Sequence, residues 1–353
     1  MAFHLHRQAA ALCLAAGMLP AWAQESGTTS STVPVTADSY IRAETDVSFG
    51  TVVKRGGLGR FTHFREMVSA ERRSVVRPNR DTLYSTAVFD LDAGPVTVTL
   101  PDAGQRYLGM QAIDEDHYTR AVAYGAGSHT FTRKRIGTRY LLVAVRILAN
   151  PGDAADMAQA RALQDAIKVS QEGPGRFDVP AWDLGSLKKI REALLVLNTT
   201  LSDTRKMFGS REQVDPVRHL IGTAMGWGGI PEQEALYLPI TPARNDGETV
   251  YRMTVGSVPV HGFWSVSVYN AAGYFEPNTL QAYSLNNLTA KRDAEGKVSI
   301  QFGGCDGKTQ NCLPIMPGWN YLVRLYRARP EVLSGKWTFP QAQPVNQATD
   351  REK

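Results

Sequence analysis

Two stretches of this chain combine residue types and spacings suited to chemistry. The first is Asn79-Arg80-Asp81-Thr82-Leu83-Tyr84, dense in hydrogen-bonding groups. In an extended segment Asn79 and Asp81 share a side and Arg80 lies opposite. As a site, Asp81 would act as acid or base and Tyr84 as proton donor. Asn79 would hold an oxyanion or hydroxyl, and Arg80 would be a further ligand contact. The same residues also make ordinary structure, because Asn and Asp cap turns while Thr and Tyr suit strands. Both readings stand on the sequence.

The second stretch is Asp114-Glu115-Asp116-His117-Tyr118, which ends the strand-like run Tyr107 to Ile113. Asp116 and His117 are candidate catalytic groups, as part of the paired carboxylates of glycoside chemistry. Oxygen ligands for a divalent cation at Asp114–Asp116 are a further use. Alternation sends Asp114 and Asp116 one way and Glu115 and His117 the other, so half the cluster at most points into one site. The plain alternative is a solvated acidic turn. Pairing with Asp81 would need the Asp81 and Asp116 carboxyl groups within about 12 Å. His63, His117, His129, His219 and His261 are dispersed, without the H-x-H or H-x-x-x-H spacing of a metal site, so no metal ligands are assigned. His63 remains a ligand-contact candidate. Tyr269, Asn270 and Asn278 join it from positions on or near loops, whereas Trp264, alternating with Val266 and Val268, reads as core. There is no G-x-S-x-G, reactive-cysteine or phosphate-loop motif. Gly226-Trp227-Gly228-Gly229 follows a helix and reads as an aromatic turn.

These residues must be carried by strands, with helices between two sets of them. Asp38 to Arg55 and Phe61 to Met67 have helical spacing. From Asp81 the period becomes two, as in Val96, Val98 and Leu100, or Leu141, Val143 and Val145. Asp153 to Glu172, Leu184 to Leu201 and Pro216 to Met225 step by three and four, as amphipathic helices do. Strands resume near Ala235 and include 264–269, 297–302 and 321–326. The predicted fold is mainly β with a helical insertion, in two antiparallel domains of jelly-roll or sandwich type. Its segments are an N-terminal β domain over 37–150, a helical segment over 151–234 and a C-terminal β domain over 235–340. A flexible tail over 24–36 and another over 341–353 flank them.

Arg7, the apolar run Ala9 to Leu19 and the triplet Ala21-Trp22-Ala23 form the pattern of an export signal over 1–23. Cleavage near Ala23–Gln24 would deliver a periplasmic protein without a stable membrane span. Cys305 and Cys312 then remain, flanking a polar turn, and read as a local disulfide in an oxidising compartment. With 43% hydrophobic and 21% charged residues among 353, the chain can bury a large core and is neither disordered nor a polytopic membrane protein. A net charge of +5, spread along the chain, excludes a nucleic-acid stripe.

Several blocks follow one another along the chain: His63-Phe64-Arg65-Glu66, Arg77 to Ser85, Gly226 to Gly229, Gly262 to Asn270, Gly273 to Asn278, Leu313-Pro314, Arg324-Leu325-Tyr326 and Leu333 to Trp337. In that order they resemble bacterial exported proteins that join the domain-of-unknown-function families 1254 (N-terminal) and 1214 (C-terminal). The resemblance implies two jelly-roll-type β domains with helices between them, and implies no reaction. Where the family commonly carries Asn-Trp-Leu-Pro, this chain has Asn311-Cys312-Leu313-Pro314, with Cys305 in reach.

Three functional classes follow. One is a hydrolase or lyase acting on a small polar or polyhydroxylated compound in a pocket between the β domains. Another is a non-enzymatic periplasmic binding protein. The third is a structural module, for which a homo-oligomer is the natural state.

Overall fold

The structure is a computed structural model that describes residues 32–345 other than 72, 74 and 75. The export-signal pattern and its cleavage point lie outside the described residues.

The chain begins with α1 (Tyr40–Lys54) and β1 (Thr62–Phe64), followed by β2 (Thr82–Asp90), β3 (Val96–Leu100), β4 (Leu108–Asp114), β5 (Thr119–Tyr124) and β6 (Gly127–Phe131). A one-turn helix α2 (Arg133–Ile136) leads into β7 (Tyr140–Leu148). These strands, with β8 (Lys168–Ser170), make a five-stranded sheet in the order β1-β2-β7-β4-β5 and a three-stranded sheet in the order β6-β3-β8. The two sheets enclose a core of Leu83, Phe89, Val96, Val98, Val143 and Val145. Every residue of β7 is buried because both faces of that central strand are covered, which is why it reads as an apolar run broken only by Arg146.

The middle of the chain supplies α3 (Ala154–Asp165), α4 (Leu184–Asn198) and α5 (Pro216–Gly226). Asp153, Asp183 and Asp215 cap them, each accepting two backbone N–H groups of the first turn. Helix α1 joins α4 and α5 through Tyr40, Ala43, Leu187, Leu194 and Ile221, so the helical layer recruits an element from the N-terminal segment.

The C-terminal domain comprises β9 (Ala235–Ile240), β10 (Tyr251–Val255), β11 (Trp264–Tyr269), β12 (Ser284–Asn286), β13 (Val298–Phe302), β14 (Cys312–Leu313) and β15 (Asn320–Tyr326), then the short α6 (Pro330–Leu333) and β16 (Gln343–Pro344). Two four-stranded sheets result, ordered β12-β11-β15-β9 and β14-β13-β10-β16. Trp264, Val266, Val268, Val323, Leu325, Ile300 and Phe302 fill the space between them, Trp264 being 3% exposed as its alternation predicts. The fold is mainly β, its antiparallel sheets stacked as sandwiches with few helices. Cys305 and Cys312 form the expected disulfide.

Some sequence expectations give way. Phe61 to Met67 is not helical: Thr62–Phe64 pairs with Tyr84–Thr86 as an edge strand. The helix expected over 153–172 stops at Asp165, and Lys168–Ser170 pairs with Thr97–Thr99. A free edge beside β3 overrides helical spacing there. Neither tail is free where it is described. Val33 is hydrogen-bonded to Ala181 and Asp183, and Val35 is 5% exposed. Gln343–Pro344 pairs with Tyr251–Arg252. Among the described residues no helix is long and apolar enough to cross a membrane.

Candidate functional site

Strand alternation produces the site. On β2, Leu83, Ala87 and Phe89 enter the sandwich core, so Thr82 and Tyr84 occupy the other face. Register then sets a row across that face: Phe64, Tyr84, Arg146, Gly109 and Tyr124. Gly109 has a steric reason, since a Cβ there would lie 2.7 Å from the Tyr107 hydroxyl. On the C-terminal domain the core takes Trp264, Val266, Val323 and Leu325. A second row therefore runs Asn286, Ser265, Arg324 and Tyr237 on the opposite face. The two arginine-centred polar faces meet across the domain boundary. Leu148, Ile230, Ala235, Phe263 and Tyr326 make an apolar seam beside them.

The loop 77–81 fills the space between the rows. Arg324 donates to the carbonyls of Arg77 (2.9 Å) and Pro78 (3.3 Å), to Ser267 Oγ (3.0 Å) and to the Tyr269 hydroxyl (2.8 Å). Burial disfavours its charge, but the phenols of Tyr269 and Tyr326 and the carboxyl of Asp81 hold it strongly protonated. Asn79 Oδ1 accepts from Asp81 N (2.8 Å), the turn geometry expected of Asn. Its Nδ2 faces three oxygens: Thr82 Oγ1 (3.2 Å), the Tyr84 hydroxyl (3.1 Å) and the Tyr326 hydroxyl (3.2 Å).

Two phenols that share Asn79 are driven in opposite directions. Burial would raise the pKa of Tyr84, but the Arg146 guanidinium, 5.2 Å from its ring, and the Asn79 amide outweigh that and hold it below the usual phenol value. Burial and the phenols of Tyr237 and Tyr84 push Tyr326 far up. Burial likewise raises Tyr107 and Tyr237. Arg146 is fixed by Gln111 Oε1 (3.1 Å) and the Gly228 carbonyl (3.2 Å). Burial opposes its charge, yet the surrounding phenols, Tyr84 first, raise its pKa. Asn79, Tyr84, Tyr107 and Tyr237 are only half-buried, so solvent reaches the layer between the two faces.

The remaining sequence candidates are dispersed. Asp81 is 0% exposed: Oδ1 accepts from Asn286 Nδ2 (3.1 Å), Oδ2 has no partner, and burial raises its pKa despite Arg324 and the Ser265 hydroxyl. It ties the domains together beneath the half-open layer. Arg80 points the other way, donating to the Val68 carbonyl and lying 5.0 Å over the Tyr283 ring. His63 sits on the opposite face of β2, with Nδ1 2.8 Å from Ser85 Oγ. The Tyr269 hydroxyl is buried against Pro78 O (2.7 Å), and Asn270 and Asn278 close their own loops on Tyr274 N and Ala282 N. None of these side chains is hydrogen-bonded to Tyr84; Asp81 and Tyr269 reach the layer through Asn79, Asn286 and Arg324.

The acidic cluster corrects two expectations. Thr82 pairs with Leu148 and Asp114 with Leu141, seven residues along β7. At about 3.3 Å per residue, Asp81 and Asp116 stand about 20 Å or more apart, at opposite ends of the sheet. A catalytic carboxylate pair is thereby excluded. Nor is the cluster a solvated turn or an open cation site. Asp114 Oδ1 accepts from the backbone of Asp116 and Tyr118, Glu115 Oε2 accepts from Tyr140 N, and Asp116 is paired with Arg42 at 2.5 Å. Asp114 and Glu115 are 2% and 6% exposed. Burial pushes the Asp114 pKa up to about 6. Among the described residues no group of three or more His, Cys, Asp or Glu is arranged to hold a metal.

His117 is buried between Trp227 and His219, at ring separations of 5.3 and 5.4 Å. Its Nε2 accepts from Gly228 N (2.8 Å), so Nδ1 carries the proton and donates to Thr223 Oγ1 (2.8 Å). Burial and the neighbouring His219 keep it neutral by lowering its pKa well below the usual imidazole value. His117 thus reaches the site only by fixing Gly228, whose carbonyl holds Arg146.

Sequence reasoning missed Arg146, Arg324, Tyr107, Tyr237, Tyr326 and Asn286. A signal existed for the arginines: each is a lone charge within an otherwise apolar strand.

The fold and site define a two-domain β protein whose polar centre lies between its sandwiches. Residues 58–143 match the family described as Protein of unknown function (DUF1254), and residues 241–330 match Protein of unknown function (DUF1214). The chain therefore joins a DUF1254 region to a DUF1214 region in the order that the sequence blocks imply. No curated protein matches it. Among solved structures it is similar to a Vibrio parahaemolyticus protein, with 19% identity and a TM-score of 0.65 over 88% of this chain and 98% of that one. It is also similar to an uncharacterised Burkholderia cenocepacia protein, with 12% identity and a TM-score of 0.51 over 88% of each chain. Both likenesses concern the fold.

Proposed function

We propose that the protein is an exported enzyme of lyase type, acting on a small polyhydroxylated carboxylate in the layer between its two β domains. The observation that carries this reading is the pair of phenols on Asn79, with Tyr84 driven toward phenolate and Tyr326 toward phenol. Neighbouring groups whose pKa values are pushed apart are the signature of assigned proton-transfer roles. Tyr84 takes the proton α to the carboxylate. The released electron pair forms the C=C bond as the β C–O bond breaks, and Tyr84 returns its proton to the departing oxygen. Arg146 and Asn79 hold the charge that develops on the substrate carboxylate. Tyr326 stays protonated and orients Asn79. Hydrolysis by paired acids has no support once Asp81 and Asp116 are separated. The export-signal pattern and the Cys305–Cys312 disulfide support an oxidising, extracytoplasmic compartment.

The test is a panel of uronic-acid oligomers and 3-alkoxy carboxylates, followed by the absorbance of the new conjugated double bond. The expected result is turnover that Tyr84→Phe lowers by about 10²–10⁴-fold, the range for a lost acid–base group. Turnover unchanged in Tyr84→Phe, or an unreactive panel, would refute the assignment.

A further inference from the structure

The face that carries Tyr84 continues past Arg146 to the edge of its sheet. Register runs from Tyr84 through Arg146 and Gly109 to Tyr124 on β5, the last strand of that sheet. Arg146 and Tyr124 are thus two strands apart, about 10 Å. Tyr107 lies between, its hydroxyl over Gly109 and its ring 5.5 Å from Tyr326 and 5.7 Å from Tyr124. A line of phenols therefore leads from Asn79 to the edge.

Three groups gather there. The Tyr124 hydroxyl donates to Glu234 Oε2 (2.7 Å), and the Arg327 guanidinium lies 4.3 Å over the Tyr124 ring. Glu234 and Arg327 come from across the domain boundary, one just before β9 and the other just after β15. All three, like Tyr107, are half-buried, so solvent reaches this end of the layer.

Arg327 differs from the other arginines of the layer. Arg146 and Arg324 donate to protein oxygens, whereas among the described residues no oxygen accepts from the Arg327 guanidinium. Its backbone is nonetheless fixed. Arg327 N donates to the Glu234 carbonyl and its own carbonyl accepts from His261 N, both at 2.8 Å, with φ at 53°. That is the left-handed region, costly for a residue other than glycine, and such positions gather at ligand clamps. The ring beneath steadies the guanidinium and leaves its N–H groups to a ligand. Glu234 Oε1 likewise has no donor among the described residues.

A guanidinium donor, a carboxylate acceptor and two phenol rings complement a sugar unit bearing a carboxylate, hydroxyls and an apolar C–H face. A neutral sugar leaves the guanidinium unmatched, and a simple anion is repelled by Glu234. We propose that Tyr124, Glu234 and Arg327 form a second sugar position beside the Tyr84 layer, so that the ligand is an acidic oligosaccharide and not a single acid. Its cleavage rests on the lyase reading of Tyr84, whereas its binding does not.

The test is calorimetric titration of the full chain carrying Tyr84→Phe, which leaves an oligomer uncleaved, with galacturonate, trigalacturonate, maltotriose and triglutamate. Trigalacturonate should bind about tenfold or more tighter than each of the others, the worth of one charge-assisted contact. Arg327→Gln in the same background should bring trigalacturonate down to near galacturonate and leave galacturonate unchanged. A loss confined to the trimer is one that general destabilisation does not produce. Equal binding of trimer and monomer, a trimer undiminished by Arg327→Gln, or equal or tighter binding of maltotriose or triglutamate would overturn the proposal. Turnover by the parent separates the two readings. An unreactive parent whose affinity still depends on length and on Arg327 overturns the lyase reading and supports the second position. Turnover without either dependence overturns the second position alone.

Discussion

Replacing Asp46 by Asn should stabilise the protein at neutral pH and lose that advantage in acid. Asp46 lies on α1 and is 2% exposed, with Oδ2 accepting from Trp182 Nε1 at 2.8 Å and Oδ1 unpartnered. Burial raises its pKa from 3.8 to about 6, opposed by the Trp182 hydrogen bond and reinforced by the charge of Glu115. A carboxyl group whose folded pKa is raised binds its proton more tightly folded than unfolded. Its contribution to stability is therefore complete below the unfolded value of 3.8 and is lost as pH rises through about 6. Between 3.8 and about 6, at about 1.36 kcal/mol for each tenfold change in proton affinity, the loss approaches about 3 kcal/mol. Asn retains an acceptor for Trp182 and carries no charge at any pH. Urea unfolding of both proteins from pH 3.5 to 8 measures the difference directly, and the comparison cancels Asp114, which titrates over the same range. The stability of Asp46→Asn relative to the parent should rise by about 2–3 kcal/mol across that range and level off above pH 7. A difference that stays flat, or grows toward acid, would refute the argument that burial controls this carboxyl.

Spectrophotometric titration should show one tyrosine ionising below the rest, and Tyr84→Phe should remove that step alone. Arg324→Met should cost about 3–5 kcal/mol in chemical denaturation, because four acceptors on both domains lose their donor and Asp81 loses the cation that most favours its charge. Both β domains should then unfold at lower denaturant, which tryptophan fluorescence follows. Cys305→Ser/Cys312→Ser should lower stability by about 2–3 kcal/mol on the chain-entropy model for so short a loop, with no change in turnover at the Tyr84 layer.

The β class, the Trp264 core alternation, the disulfide and the family order were legible because each rests on local spacing or composition. Asn79 and Tyr84 could be picked out as candidates from the density of polar groups at the start of a strand, and the structure brings them within 3.1 Å of one another. Asp116, His63, Tyr269, Asn270 and Asn278 were drawn toward a site by residue type alone, and the fold assigns each to its own turn, strand face or ion pair. His117 lies between these cases, because it acts on Arg146 only through the Gly228 peptide.

By itself the sequence determined which side of each strand is apolar, and hence that Tyr84, Arg146, Ser265 and Arg324 must leave their sandwich cores. Alternation of period two is enough for that. Only the tertiary structure decided that these two polar faces meet one another, that Asp81 is sealed beneath them, and that Asp116 stands at the far end of the sheet. Register and domain packing bring together residues as far apart in the chain as Asn79 and Tyr326, and no local pattern encodes what faces a strand from another domain.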